Sequence, residues 1–534
     1  MPQQLPGFYY DAQKNRYFPI KGPIPGSSRA SSSSTAQELA PKATRVVLCI
    51  RDLRPRGGSK KPCIGEATNL CRRTGVRASN LLQVRELYGN IIPSIKGKCN
   101  FKEEFQKIQI SQPVVWKFSE TDKIADGALE QMHVDVQTPE GQIETDVLLT
   151  GGLNGSLSFV EVGKVKPDFD CGVKCMPDRV WPSNKNDQAD CGTIPGPICR
   201  PARASLSVSS NVSCIKLFEK QPSAIEDGSS IRDALISTLG SETSPGSLCI
   251  VKLVEPLDLN SIVPGISQRI HEVASFNCTI WTADCSFNGS RAAIGTNLGA
   301  ALVDLETGVA SWVFRGKSDV FAQQFVESGN ALLCGLRNGV IVTVDVREKQ
   351  EGNSVRLISH RIQCSPSSKT VGSSTQKFFK VLGNIDSSCT IKMPSSISCL
   401  VSLQYDDHYF LASSMDGSVK LYDHRLIRRG AVQSYEGHVN SHTRLQLAVD
   451  ASEKFFMSGG EDCNLRLWSI KSGELLFENK FSNTVPSAVC WRRAERLVGV
   501  QDERQSYKEY PYQQGHGLEA WLGSREGLFY MNWS

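Results

Sequence analysis

Tyr435-Glu-Gly-His438 and Phe456-Met-Ser458-Gly-Gly-Glu-Asp462-Cys-Asn-Leu-Arg-Leu-Trp468 decide the fold. A Gly-His pair leads into an apolar run, then an Asp in a tight turn, then alternating apolar residues that close on Trp468. Alternation broken by a polar turn is strand, hairpin, strand. His438 is expected to enter on an outer strand. Asp462, in the turn, would orient its imidazole. Ser458 and the indole N–H of Trp468 would complete a buried polar chain. Such a network stabilises only when every member has a partner. The unit it defines is one four-stranded blade of a ring built from repeats.

A Gly-His, Asp and Trp in this order are the signature of a WD repeat, and further copies emerge on the hairpin glycine. Thr150-Gly-Gly-Leu-Asn-Gly155 matches Ile294-Gly-Thr-Asn-Leu-Gly299 and Cys334-Gly-Leu-Arg-Asn-Gly339. Ala412-Ser-Ser-Met-Asp-Gly417 and Leu522-Gly-Ser-Arg-Glu-Gly527 follow, with Cys463 at the glycine position of the copy ending at Trp468. The steps 299 to 339 and 417 to 463 equal one blade each, about 40–45 residues. The step 339 to 417 is too long, and the Ser- and Lys-rich stretch 365–388 reads as an inserted loop. Another blade is expected near 208–255, flanked by excursions over 163–207 and 219–247. The fold class is therefore all-β: a seven-bladed WD-repeat β-propeller over 96–534, with a disordered N-terminal arm and a short N-terminal helix.

The arm has three parts. Residues 1–20 carry Phe8, Tyr9, Tyr10, Tyr17 and Phe18, and the turn near Lys14-Asn15 suggests a hairpin. Two readings stay open for it: a recognition element, or a strand pair that patches the ring. Residues 21–65 are rich in Pro, Gly, Ser and basic residues and read as a disordered linker. Within 66–95, Leu81, Val84, Leu87, Tyr88 and Ile91 fall on one face at helical spacing over 79–92, and Pro93 ends the run. An amphipathic helix outside the ring needs an apolar cover, either the ring's own side or a partner.

Composition narrows the chemistry. A net charge of +5 over 534 residues is small for this size and does not by itself predict nucleic-acid binding. No apolar run reaches about 18 residues, so no membrane span is expected. The start of the chain lacks a signal-peptide pattern, so the 18 cysteines read as reduced thiols in the nucleus and/or cytoplasm. Cys171, Cys175, Cys191 and Cys199 have the wrong spacing for the common zinc ribbons. No nucleophile elbow or phosphate-binding loop is present, so no catalytic residue, cofactor or metal is assigned.

Two copies carry an Asp-x-Arg box in the same register: Asp345-Val346-Arg347 and Asp423-His424-Arg425. If 365–388 is an insertion, the boxes lie on consecutive blades and two arginines project from one rim. A guanidinium is a planar, always-charged fork suited to an acidic partner surface. The alternative is that each Asp merely ends its strand and each Arg is a solvated turn residue.

At these residues the chain resembles the WD-repeat substrate receptors of cullin-four RING ubiquitin ligases, and more narrowly the family of the fourth associated factor, also called WD-repeat protein twenty-one. The likeness is carried by Leu5-Pro-Gly-Phe-Tyr-Tyr-Asp11, Arg16-Tyr-Phe18, Ser318-Asp-Val-Phe-Ala-Gln-Gln-Phe325, both Asp-x-Arg boxes and Tyr435-Glu-Gly-His-Val-Asn440. It is good over 270–475 and the first 20 residues, and faint over 95–265 and at the extreme C-terminus. The resemblance implies that Asp345, Arg347, Asp423 and Arg425 face the ligase adaptor, the large subunit of damaged-DNA-binding protein. It also implies that a helix ahead of the ring, here 79–92, enters the adaptor's cleft. The function it implies is a non-catalytic substrate receptor bridging that adaptor to a protein target. The rival is a WD-repeat scaffold in a nuclear complex unrelated to ubiquitin.

Overall fold

The computed structural model describes residues 8–11, 16–19, 101–122, 124–138, 141–163, 175–182, 197–202, 205–220, 231–241, 243–253, 255–259, 269–326, 329–347, 359–363, 378–383, 390–492 and 518–533. The chain divides into two units, Met1–Cys63 and Ile64–Ser534. In the first, Phe8–Asp11 pairs antiparallel with Arg16–Pro19, so the aromatic segment is a hairpin. The helix expected over 79–92, with Leu81, Val84, Leu87, Tyr88 and Ile91, lies outside the described residues, as does the linker 21–65.

The second unit is a propeller of seven blades. Blade 1 is Ala128–Thr138, Gly141–Gly151, Ser156–Gly163 and Ile198–Pro201. Blade 2 is Val212–Lys220, Ile231–Thr238, Gly246–Lys252 and Ile270–Phe276. Blade 3 runs from Ile280–Cys285 to Ala310–Gly316, blade 4 from Val320–Phe325 to Ile391–Lys392, and blade 5 from Ile397–Ser402 to Gln433–Tyr435. Blade 6, the one read first, runs from Ala448–Val449 to Leu475–Asn479. Blade 7 joins Ala488–Trp491, Glu519–Ser524 and Gly527–Asn532 to Val114–Phe118, which comes from ahead of the ring and closes it.

The core is divided among the seams between blades. One apolar cluster joins blades 1 and 2, and others join each successive pair. Phe118, Leu129, Leu148 and Trp521 seal blade 7 to blade 1. A sheet covered on both faces needs apolar residues on both, which is why Leu332–Leu336 and Leu465–Ser469 are buried without interruption. The turn glycines sit where expected, with φ of +79° at Gly155, +81° at Gly339 and +84° at Gly417. Cys463 adopts the same left-handed turn, with φ of +66°.

The three expected loops need correction, because each contributes strands. Pro177–Trp181 and Ile198–Pro201 lie within 163–207 and pair with blades 7 and 1. Ile231–Thr238, within 219–247, is the second strand of blade 2. Phe378–Gly383, within 365–388, pairs with Ser359–Gln363 and with Phe314–Gly316 of blade 3. Pairing through backbone groups recruits the outer segments and leaves little pattern in side chains, whereas Ile231–Thr238 is an inner strand paired on both sides.

A helix absent from the sequence reading, α1 (Phe101–Ile110), precedes the closing strand. Ile110 is buried, its carbonyl accepts the indole N–H of Trp533 at 2.6 Å, and Lys107 pairs with Glu474 at 3.3 Å. The helix thereby ties the entry of the chain to blades 6 and 7.

Candidate functional site

Each third strand ends on the edge of the ring opposite the turn glycines. Asp345 ends Val340–Asp345 and Asp423 ends Val419–Asp423, so both boxes lie on the same edge of consecutive blades. The two fold alike. Asp345 Oδ1 accepts from the Arg347 backbone N–H at 2.9 Å and from Arg347 Nε at 3.1 Å, and Oδ2 accepts from Nη2 at 2.7 Å. The corresponding distances at Asp423 and Arg425 are 2.8, 3.1 and 2.9 Å. A carboxylate two residues back thus grips one edge of each guanidinium and leaves its other N–H donors outward. The Arg347 and Arg425 side chains are 65% and 56% exposed, so these ion pairs orient the arginines without hiding them. Hydrogen bonding from Arg347 holds the Asp345 carboxyl below the usual carboxylate range, and Arg425 does the same for Asp423. Between them, His424 packs its ring 4.6 Å from that of Phe410, while the Arg425 side chain stays exposed.

Other exposed groups share this edge. Asp423 caps a short 3₁₀ turn, His424–Arg429, that presents Leu426, Arg428 and Arg429. In the loops joining first and second strands, Phe287 of blade 3 and Tyr405 of blade 5 are 80% and 78% exposed. Glu453, at φ of +52°, reaches from blade 6 to hold the Tyr405 loop. It accepts from the backbone N–H groups of Gln404, of Tyr405 at 3.0 Å and of Asp406 at 3.4 Å. A fixed, exposed aromatic beside oriented arginines has the make-up of an interface anchor. Single aromatics in loops carry no periodicity, so sequence reading passed them over. Glu453→Ala is expected to leave the ring folded and to speed amide exchange at 404–406 by about tenfold or more, since a charged acceptor is worth about 1.5–3 kcal/mol. Unchanged exchange there would show that the clamp is idle.

The blade 6 network differs from the expected polar chain. His438 Nε2 lies 3.1 Å from the Gly459 carbonyl and 3.3 Å from Ser458 Oγ, and Ser458 donates to the Gln446 carbonyl at 2.9 Å. Trp468 Nε1 donates to the Glu436 carbonyl at 2.9 Å, and its ring stacks on Phe456 at 4.9 Å. Asp462 does not orient His438. It accepts from Arg466 Nη1 at 2.9 Å and from Asn464 at 2.8 Å. The Arg466 side chain is only 4% exposed and requires a carboxylate, which Asp462 supplies with Glu478. Burial lowers the pKa of His438, which keeps it a neutral donor to Gly459.

On the turn edge, Glu461 accepts from Ser441 Oγ at 2.5 Å, from Thr443 Oγ1 at 2.6 Å and from the backbone N–H groups of His442 and Thr443 at 3.1 and 2.9 Å. Burial raises its pKa, but these bonds outweigh that and bring it down to about 2. A depressed carboxyl stabilises the fold above its unfolded pKa, and that contribution is lost as pH falls from about 4.5 towards 2. Glu461→Gln is expected to lower the melting temperature at neutral pH, with the gap to wild type closing through that acid window. A gap independent of pH would refute the assignment.

Of the four loop cysteines, the described Cys175 and Cys199 face each other across a β-bridge, and burial raises both thiols. Cys171 and Cys191 lie outside the described residues.

The family model of the DDB1- and CUL4-associated factor 4 beta-propeller domain matches residues 383–494, which include the second Asp-x-Arg box and the whole of blade 6. DDB1- and CUL4-associated factor 4 of Bos taurus is 22% identical over 499 residues, covering 92% of this chain and 81% of the relative. The Homo sapiens protein of the same name is 30% identical over 257 residues, covering 47% of this chain and 43% of the relative. DDB1- and CUL4-associated factor 4-like protein 2 of Homo sapiens is 29% identical over 174 residues, 33% of this chain and 34% of the relative. The chain is a WD-repeat β-propeller protein similar to DDB1- and CUL4-associated factor 4.

Proposed function

We propose that this chain is a non-catalytic substrate-recognition subunit of a cullin-four RING ubiquitin ligase. The observation that carries the reading is the pair of Asp-gripped guanidiniums, alike in geometry, on one edge of blades 4 and 5. Their outward donors, with Tyr405 and Phe287 as apolar anchors, suit the adaptor DDB1, whose name and that of cullin-four the relatives carry. The helix expected over 79–92 would add a second contact. Ubiquitin transfer would then gain from proximity: the ring raises the effective concentration of a target lysine near the charged conjugating enzyme. Such a subunit works in the nucleus and/or cytoplasm.

The test is affinity purification of the tagged full chain from cells. DDB1 and cullin-four are expected in the eluate. Their absence, with other WD-scaffold partners recovered instead, would overturn the proposal.

A further inference from the structure

We propose that the turn edge of blades 3 and 4, opposite the Asp-x-Arg boxes, is a docking site for an acidic peptide segment. Four basic residues gather there, all exposed: Arg315, Lys317, Arg337 and Lys392. The backbone binds them into one surface. Arg315 pairs with Gly299 at the hairpin of blade 3, and Lys317 leads into Ser318, whose hydroxyl accepts from the Asn338 N–H at 3.2 Å. Arg337 donates its backbone N–H to the Asp319 carbonyl at 2.9 Å, and the Lys392 ammonium bonds the Asn338 carbonyl. Asp319 is the one acid among the described turn-edge residues of these blades, and its side chain is 17% exposed, 3.3 Å from Arg337 Nη1.

The rest of the same edge is different. Glu461 is saturated by Ser441 and Thr443, Asp462 by Arg466 and Asn464, and Glu526 accepts from Ser482 and the Asn483 N–H. Asp126 accepts from the Leu153 N–H. Glu461 and Asp462 of blade 6 and Glu526 of blade 7 are thus engaged within the fold; Asp416, at the blade 5 turn, is exposed, and so are Arg315, Lys317 and Arg337 of blades 3 and 4.

Two of the cations are held in place. The Arg315 guanidinium lies 4.9 Å over the Trp312 ring and that of Arg337 lies 6.0 Å from Phe321. Stacking on an aromatic face restricts a long side chain and leaves its hydrogen-bonding edges free to meet carboxylate or phosphate oxygens in plane. It also occupies the ring faces that a single-stranded nucleic acid would need for base stacking, and the patch spans only two blades. An acidic peptide, whether Asp/Glu-rich or phosphorylated, matches this surface better than RNA does. Under the receptor reading the segment would belong to the target, but the site itself requires no ligase.

The test uses the full chain alone, with fluorescently labelled peptides: a Glu-rich peptide, the same peptide bearing phosphoserine, and a neutral control. Binding of an acidic peptide is expected to weaken with salt and to fall by about tenfold or more in Arg315→Glu/Arg337→Glu. Arg315→Ala/Arg337→Ala, checked for an unchanged melting temperature, should fall less, and Arg347→Glu/Arg425→Glu should match wild type. The phosphoserine arm tells whether carboxylate or phosphate is preferred. No binding of either acidic peptide, equal binding by the patch variants, or tighter binding of an oligouridine of equal charge would overturn the proposal. Loss of DDB1 with peptide binding intact would count against the ligase reading alone.

Discussion

Arg347→Glu/Arg425→Glu is expected to reduce affinity for purified DDB1 by about a hundredfold or more, since under the proposed receptor reading each fork would be an interface anchor of about 2 kcal/mol or above. In the free chain each carboxylate and backbone N–H pre-sets its arginine, so little side-chain freedom remains to be lost on binding. Reversal removes the outward donors and sets a new carboxylate beside Asp345 or Asp423. Asp423 is almost fully buried, so Arg425→Glu takes away the partner of a buried carboxylate and also disturbs the fold locally. Arg347→Lys/Arg425→Lys separates these effects. It keeps the charge but loses the planar fork, and it should weaken binding by an intermediate factor with the melting temperature nearly unchanged. Titration of adaptor against all three proteins decides the matter, and equal affinity across them would remove the rim from the account.

Val115→Pro is expected to open the ring. Val115 is fully buried and pairs with Met531 on one side and Trp181 on the other, within the strand that closes blade 7. Proline has no N–H to give and is tolerated only at sheet edges. Losing a ladder bond and the packing of the closing seam costs about 3 kcal/mol or more. Because the sealing strand comes from ahead of the ring while its partners come from the far end of the chain, the damage reaches both the seam with blade 6 and the seam with blade 1. A marked fall in melting temperature and rapid proteolysis within 488–533 are the expected signs. Lys117→Ala in the same strand should shift stability by no more than about 0.5 kcal/mol. A Val115→Pro protein that melts like wild type would mean the ring does not depend on this closure.

How much was legible follows from what each feature leaves in the sequence. The repeat could be read because its hairpins demand a left-handed residue at one register, and Gly155, Gly339 and Gly417 mark it. Blade 2 leaves a weaker trace: its Gly240 turn lies in a longer loop, and Ile231–Thr238 follows a stretch without strand-like alternation. The closing strand Val114–Phe118 and the hairpin added to blade 3 depend on pairing between distant segments, which no local pattern records. At the site, the Asp-x-Arg boxes were visible because both partners lie within three residues. Tyr405 and its clamp Glu453 were not, since one is a lone loop aromatic and the other reaches over from the next blade. Asp462 pairs with Arg466 and not with His438 because a buried guanidinium demands a carboxylate more strongly than a neutral imidazole does, and the turn motif alone does not show that Arg466 is buried.

Hydrogen–deuterium exchange of the full chain with and without DDB1 tests the central claim most directly. Slower exchange on binding is expected at 345–347, 403–408 and 423–432, with the turn-edge segments 317–319 and 337–339 unaffected. Protection on the turn edge instead, or none at either box, would contradict it.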